Sequence, residues 1–215
     1  MNKQLFEQLD FIENSIYERV ISDLLDHKYA IIDDFFDRKE VDELRRSIKN
    51  IYEDDCFKKA AIGNKFNEEI DKNIRGDFIK WINEDEKREE EYQFFAKIND
   101  LVSYLNRTCF LGIIQKEFHY AIYPTGTFYK RHLDTFQNDS RRKLSLVCYL
   151  NDENWLASNG GELTLYLPTG AGEEQLQILP QAGRMVIFES QVLEHEVKPV
   201  LASERLSITG WLKTR

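Results

Sequence analysis

Proline and cysteine are scarce in this chain, at 4 and 3 of 215 residues, and histidine is as rare, with 4. The cysteines, Cys56, Cys109 and Cys148, are odd in number and far apart, which excludes a disulfide framework and a CxxC metal site. Free thiols suit a reducing compartment, so a cytoplasmic protein is expected. Basic residues are outnumbered, 29 Lys and Arg against 38 Asp and Glu. The resulting net charge of −9 argues against a nucleic-acid binder, which needs a basic face for phosphates. No apolar run approaches a membrane span, and the N-terminal MNKQLFEQLDFIENS places acids where a signal peptide would have an unbroken apolar core. What the chain does have is 42% hydrophobic and 13% aromatic residues, enough to fill the core of one domain.

The apolar pattern is helical first and strand-like afterwards. In residues 1–28, Leu5, Leu9, Ile12, Ile16, Val20 and Leu24 recur at spacings of three and four, predicting an amphipathic helix that forms an N-terminal extension. Tyr29 to Phe36 reads as a short buried strand. Asp37 is placed to cap a second helix through about Glu53, with Val41, Leu44, Ile48 and Ile51 on one face. Residues 54–77 have few apolar anchors and predict a mobile finger, about 56–77, leading into a strand that ends near Ile82. A charged helix start follows from Glu84, continuing through Phe94, Ile98, Leu101 and Leu105.

From Phe118 the period becomes two. Strands are expected at 118–123, 127–134, 143–150, 162–167, 175–179, 184–188, 194–199 and 204–212, with turn signals such as Pro124-Thr-Gly126 and Asn159-Gly-Gly161. Many short strands at close spacing suggest a jelly roll. Preceding helices suggest an α+β protein in which they brace one sheet.

Three signals carry chemistry. His132-Leu-Asp134, read as strand, places an imidazole and a carboxylate on one side. His195 lies on a later strand, and two histidines with one carboxylate form the facial triad that suits iron(II) and leaves coordination sites open. Arg205 follows ten residues after His195 in Arg-Leu-Ser-Ile-Thr-Gly-Trp211. Alternation there puts Arg205, Ser207, Thr209 and Trp211 on one face and Leu206 and Ile208 on the other. A guanidinium inside a small barrel is costly unless it meets an anion, either a ligand carboxylate or an internal Asp or Glu. Tyr149 and Ser145 share a face and could add a hydroxyl to a ligand carboxylate.

HxD, a distant His and an Arg ten residues beyond it resemble the 2-oxoglutarate/iron(II) oxygenase superfamily. The segments Phe128-Tyr-Lys-Arg-His-Leu-Asp134, Cys148-Tyr-Leu-Asn151, Gly183-Arg-Met-Val-Ile-Phe-Glu189 and Arg205 to Trp211 are similar to the prolyl hydroxylase domain group, the animal hypoxia-factor hydroxylases and their bacterial relatives. Ile32-Asp-Asp-Phe35 and Arg75-Gly-Asp-Phe-Ile-Lys-Trp-Ile82 extend the resemblance over roughly residues 29–212.

The resemblance implies a catalytic domain over 29–215 with a double-stranded β-helix fold. It implies His132, Asp134 and His195 as ligands of Fe(2+), and Arg205, Tyr149 and Tyr123 around the co-substrate 2-oxoglutarate. Tyr129, Arg142, Trp211, Arg75 and Asp77 would meet the substrate. Strand alternation separately puts His119 on the face of Ala121 and Tyr123, where it is expected to line the pocket as a non-ligand. The implied activity is protein prolyl 4-hydroxylation with O2, and ascorbate as an accessory. The target would be elongation factor Tu if the chain is bacterial, and the enzyme a monomer. The alternatives are hydroxylation of a free amino acid or metabolite, and a non-catalytic sensing module.

Overall fold

The computed structural model describes residues 12–53, 57–60, 73–135, 141–170 and 172–215. Among these residues there are three α-helices and eleven strands. Helix α1, Ser15–His27, starts at Asn14, whose side chain accepts from the amides of Ile16 and Tyr17. Val20 and Leu24 are buried as the periodicity predicts, whereas Ile12 and Ile16 are exposed. Tyr17 takes their place: its ring packs edge-on against Tyr104, and its hydroxyl donates to Asp100 at 2.9 Å. Leu5 and Leu9 lie outside the described residues. Strand β1, Tyr29–Ile32, is shorter than expected because Asp34 adopts a left-handed conformation (φ 53°) that ends it.

Helix α2, Arg38–Glu53, begins at a reciprocal cap. The Glu40 amide donates to Asp37 Oδ1 at 2.9 Å, and the Asp37 amide donates to Glu40 Oε2 at 2.7 Å. Two short strands follow, β2 (Lys58–Lys59) and β3 (Phe78–Ile82). The charged stretch from Glu84 is not the start of the next helix. Asn83 caps a single 3₁₀ turn, and Glu91 then accepts from the Arg88 amide as α3, Glu91–Cys109, begins. No helix of the described residues is long and apolar enough to cross a membrane.

The remaining strands are β4 (Gln115–Tyr123), β5 (Tyr129–His132), β6 (Arg142–Tyr149), β7 (Leu163–Thr169), β8 (Gly172–Ile178), β9 (Met185–Glu189), β10 (Glu194–Val197) and β11 (Arg205–Lys213). They form two facing sheets, ordered β1-β9-β6-β11-β4-β3-β2 and β5-β10-β7-β8, the expected jelly-roll architecture. Alternation along the larger sheet sorts its side chains between two layers. Leu144, Leu146, Cys148, Met185, Ile187, Leu206, Ile208 and Leu212 pack on the helices. Val147, Tyr149, Val186 and Phe188 turn inward to meet Leu163, Leu165 and Leu193. The helices thus fill one face of the sheet, and its other face lines the barrel.

Gly183 fixes the entry to β9. Its φ is 75°, its amide donates to Tyr149 O, and its carbonyl accepts from the Phe36 amide. An added Cβ would sit 2.3 Å from Phe36 O. Gly183→Ala is expected to cost roughly 2–4 kcal/mol through overpacking and the left-handed backbone. Urea unfolding should show a lower midpoint at an unchanged slope.

Candidate active site

His132 closes β5 and His195 lies in β10, and the two are direct cross-strand partners. Each imidazole is oriented by its own strand. Nδ1 of His132 donates to Lys130 O at 2.7 Å, and Nδ1 of His195 donates to Leu193 O at 3.3 Å. Both Nε2 atoms are left to face Asp134, at 3.6 Å from Oδ1 and 3.5 Å from Oδ2 respectively. All three ligand atoms lie within 4.8 Å of one another.

Asp134 is not in the strand, contrary to the i, i+2 reading, because β5 stops at His132. The neighbouring β6 holds it instead. Ser145 Oγ donates to Asp134 Oδ2 at 2.6 Å and is itself 2.8 Å from Ser190 Oγ, while Arg142 donates to the Asp134 carbonyl. Ser145 therefore supports the carboxylate of the triad and does not join Arg205. Burial would raise the Asp134 pKa, but His195, His132 and the Ser145 hydroxyl outweigh it and hold the carboxyl well below its usual range. Burial pushes His195 down to about 4, against the pull of Asp134, so it stays neutral and available as a ligand at neutral pH. Two imidazole nitrogens and one carboxylate with fixed second partners fit a divalent iron and leave open positions.

The triad opens into a cavity of about 540 Å³ whose walls include Tyr123, Tyr129, Arg142, Phe188, Arg205 and Trp211. Arg205 is 1% exposed. It donates to Gly161 O at 2.9 Å and to Ser207 Oγ at 3.3 Å, and no carboxylate pairs with it among the described residues. The internal ion pair that competed for this arginine is thus absent there. Its guanidinium lies 4.9 Å from the Tyr123 ring and 5.0 Å from that of Tyr149, and the buried Tyr149 hydroxyl makes no hydrogen bond among the described residues. A fully desolvated cation beside an unpartnered hydroxyl is a receptor for a carboxylate.

Arg142 stacks on Trp211, with its Cζ 3.5 Å from the ring centroid. Asp77 is buried, and both of its carboxylate oxygens accept from Arg75. Residues 56 and 61–72 of the expected finger lie outside the described residues. Trp81 also lines the cavity at 52% exposure and contacts His119 and Trp211. No role follows for it from the sequence motifs, although alternation along β3 puts it on the same side as Ile79, which also lines the cavity. Ser190 has no such signal, since it reaches Ser145 from the turn after β9.

His119 lines the cavity, as expected, and its Nδ1 is buried without a partner among the described residues. Burial pushes its pKa from 6.5 down to about 3, helped by Arg75 and opposed by Asp77. Below pH 6.5 the unfolded chain takes up a proton here that the folded chain refuses until about 3, so stability falls as pH drops through that window. Melting temperatures against pH should show a shallower acid decline for His119→Leu than for the wild type, with His195 still contributing.

Residues 118–213 match the family model described as the 2OG-Fe(II) oxygenase superfamily. The chain is 30% identical to a hypoxia-inducible factor prolyl hydroxylase of Caenorhabditis elegans over 91% of its own length, and spans 28% of that protein. A Pseudomonas putida prolyl-4-hydroxylase crystal structure superposes with a TM-score of 0.82 at 35% identity, covering 93% of this chain and 99% of that one. A Trichoplax adhaerens prolyl hydroxylase, solved with a hypoxia-inducible factor peptide, superposes with a TM-score of 0.80 at 30% identity, over 92% and 89%.

Proposed function

Since the chain belongs to the 2OG-Fe(II) oxygenase superfamily, among its prolyl hydroxylases, we propose that it hydroxylates a prolyl residue within a protein or peptide. The reaction joins one oxygen atom of O2 to the prolyl C–H bond and the other to 2-oxoglutarate, which leaves as succinate and CO2. The observation that carries the reading is Arg205, a buried guanidinium without a carboxylate partner among the described residues, in the cavity that holds the His132–Asp134–His195 triad.

Bound iron(II) supplies the oxygen-activating redox chemistry, and the protein's part is to hold each group in place. Arg205 grips the far carboxylate of the oxo acid in its planar fork, with the Tyr149 hydroxyl as a further donor and Tyr123 as a wall. Ser145 and Ser190 keep Asp134 turned toward the two Nε2 atoms. Val147, Leu163 and Phe188 exclude water on the inner side. At the mouth, Trp211 and the Arg142 guanidinium stacked on it form the aromatic and cationic frame for the prolyl ring. A reducing, cytoplasmic setting belongs to the same proposal and rests on the isolated cysteines.

The test sets peptides against free proline. Proline-containing segments of elongation factor Tu and of a hypoxia-inducible factor, and the free amino acid, are incubated with enzyme, iron(II), ascorbate and 2-oxoglutarate. A peptide should gain one oxygen at proline in step with succinate release. Turnover of free proline alone would move the assignment to a metabolite hydroxylase.

A further inference from the structure

The two histidines of the triad are supported unequally. His195 is 7% exposed in its side chain and is wedged by the Phe188 ring at 4.7 Å. His132 is 19% exposed and stands toward the mouth, where its Nδ1 hydrogen bond and the tilted edge of the His195 ring, 4.3 Å away between centroids, leave its other face to be covered. What lies on it is the Tyr129 ring, nearly parallel at 19° with centroids 3.7 Å apart. On Tyr129, in turn, lies the Arg75 guanidinium, 4.2 Å from the ring centroid.

Arg75 is clamped from behind. Its Nε and Nη2 donate to the two carboxylate oxygens of Asp77 at 2.8 and 2.7 Å, and the Asp77 side chain is fully buried. The backbone reinforces the arrangement. Arg75 and Tyr129 form an isolated antiparallel bridge, Lys130 N donates to Ile74 O, and Gly76 N donates to Phe128 O. Ala60 N donates to Asp77 O, which joins the residue after β2 to the same unit. A salt-bridged guanidinium on an aromatic face, with a second aromatic ring stacked beyond, is both attractive and planar, so it restrains rotation as well as position.

We propose that Asp77, Arg75 and Tyr129 form a positioning stack that sets the plane of the His132 imidazole for the metal, rather than acting mainly as substrate contacts. Asp77 fixes Arg75, Arg75 fixes Tyr129, and Tyr129 fixes the ligand ring. Segment 73–77, at the exit of the finger, is thereby coupled mechanically to the metal site. The inference rests on the triad being the metal site of the proposed function, and is independent of which substrate that function takes.

The test is cobalt(II) binding to the metal-free protein, without 2-oxoglutarate or peptide, followed by equilibrium affinity and the visible absorption of the bound ion. Tyr129→Leu and Arg75→Met are expected to weaken affinity about ten-fold and to alter the absorption, as loss of a group that orients a ligand does, while Tyr129→Phe stays within about two-fold of the wild type because the ring remains. Circular dichroism checks the fold of each variant. Should Arg75→Met fail to fold, the contrast between leucine and phenylalanine at 129 decides alone. Wild-type affinity and absorption in Tyr129→Leu, with only the peptide KM raised, would overturn the proposal and leave these residues as substrate contacts. A wild-type protein that binds no cobalt would remove the triad itself, a separate failure from that of the stack.

Discussion

His195→Ala is expected to abolish 2-oxoglutarate turnover and to weaken iron(II) binding by more than roughly a hundred-fold, since even groups that merely orient a ligand are worth about ten- to a hundred-fold. The ring supplies one of two nitrogens, and among the described residues no further His, Cys, Asp or Glu joins the triad to replace it. Phe188 lies against one face, and its Nδ1 hydrogen bond fixes Nε2 on the side of Asp134. Alanine leaves Asp134 and His132 facing an incomplete set of donors. The fold should survive, because β10 remains paired with β7 from Glu194 to Val197. Unaltered circular dichroism with lost metal binding is the expected pair of results. Full turnover in this variant would remove the triad assignment.

Arg205→Lys should raise the apparent KM for 2-oxoglutarate by about ten- to a hundred-fold, the equivalent of about 1.5–3 kcal/mol for a charge-assisted hydrogen bond. Lysine keeps the charge but loses the planar fork that presents two parallel donors. It also loses the contacts to Gly161 O and Ser207 Oγ that aim the guanidinium between Tyr123 and Tyr149. Ligand linkage gives a second readout. Manganese(II) with 2-oxoglutarate should raise the melting temperature of the wild type and raise that of the variant less. If Arg205→Lys lowers the melting temperature of the ligand-free protein and leaves co-substrate affinity unchanged, the arginine serves the fold.

The two-residue period was the most informative signal in the sequence. It sorted β11 correctly, sending Leu206 and Ile208 to the helices and leaving Arg205, Ser207, Thr209 and Trp211 on the barrel side, because a sheet covered on both faces needs that division. It failed at Asp134, where the strand ends two residues early and the carboxylate is held from β6 by Ser145, a long-range contact that no local pattern encodes. The start of α3 was misplaced for a related reason. Glu84 to Glu91 is uniformly charged, so helical periodicity cannot locate the first turn, whereas the 3₁₀ turn capped by Asn83 and the Glu91 carboxylate accepting from the Arg88 amide do. At the first helix the spacing of apolar residues favoured Ile16, but burial goes to Tyr17, whose ring and hydroxyl both find partners on α3. The stack from Asp77 to His132 was legible only as separate letters. Its members lie in two segments that share a backbone bridge, and the contact between Tyr129 and His132 depends on how the ring plane is set.

The most direct measurement follows isotope-labelled dioxygen into protein. Extract proteins are incubated with the enzyme, iron(II), 2-oxoglutarate and heavy-oxygen O2, and the labelled peptides are sequenced by mass spectrometry. The expected result is one heavy oxygen on a prolyl ring, one labelled succinate for each hydroxyproline formed, and neither product from the His195→Ala enzyme. Succinate formed with no label on any prolyl residue, while the label appears in a free amino acid or small metabolite, would contradict it.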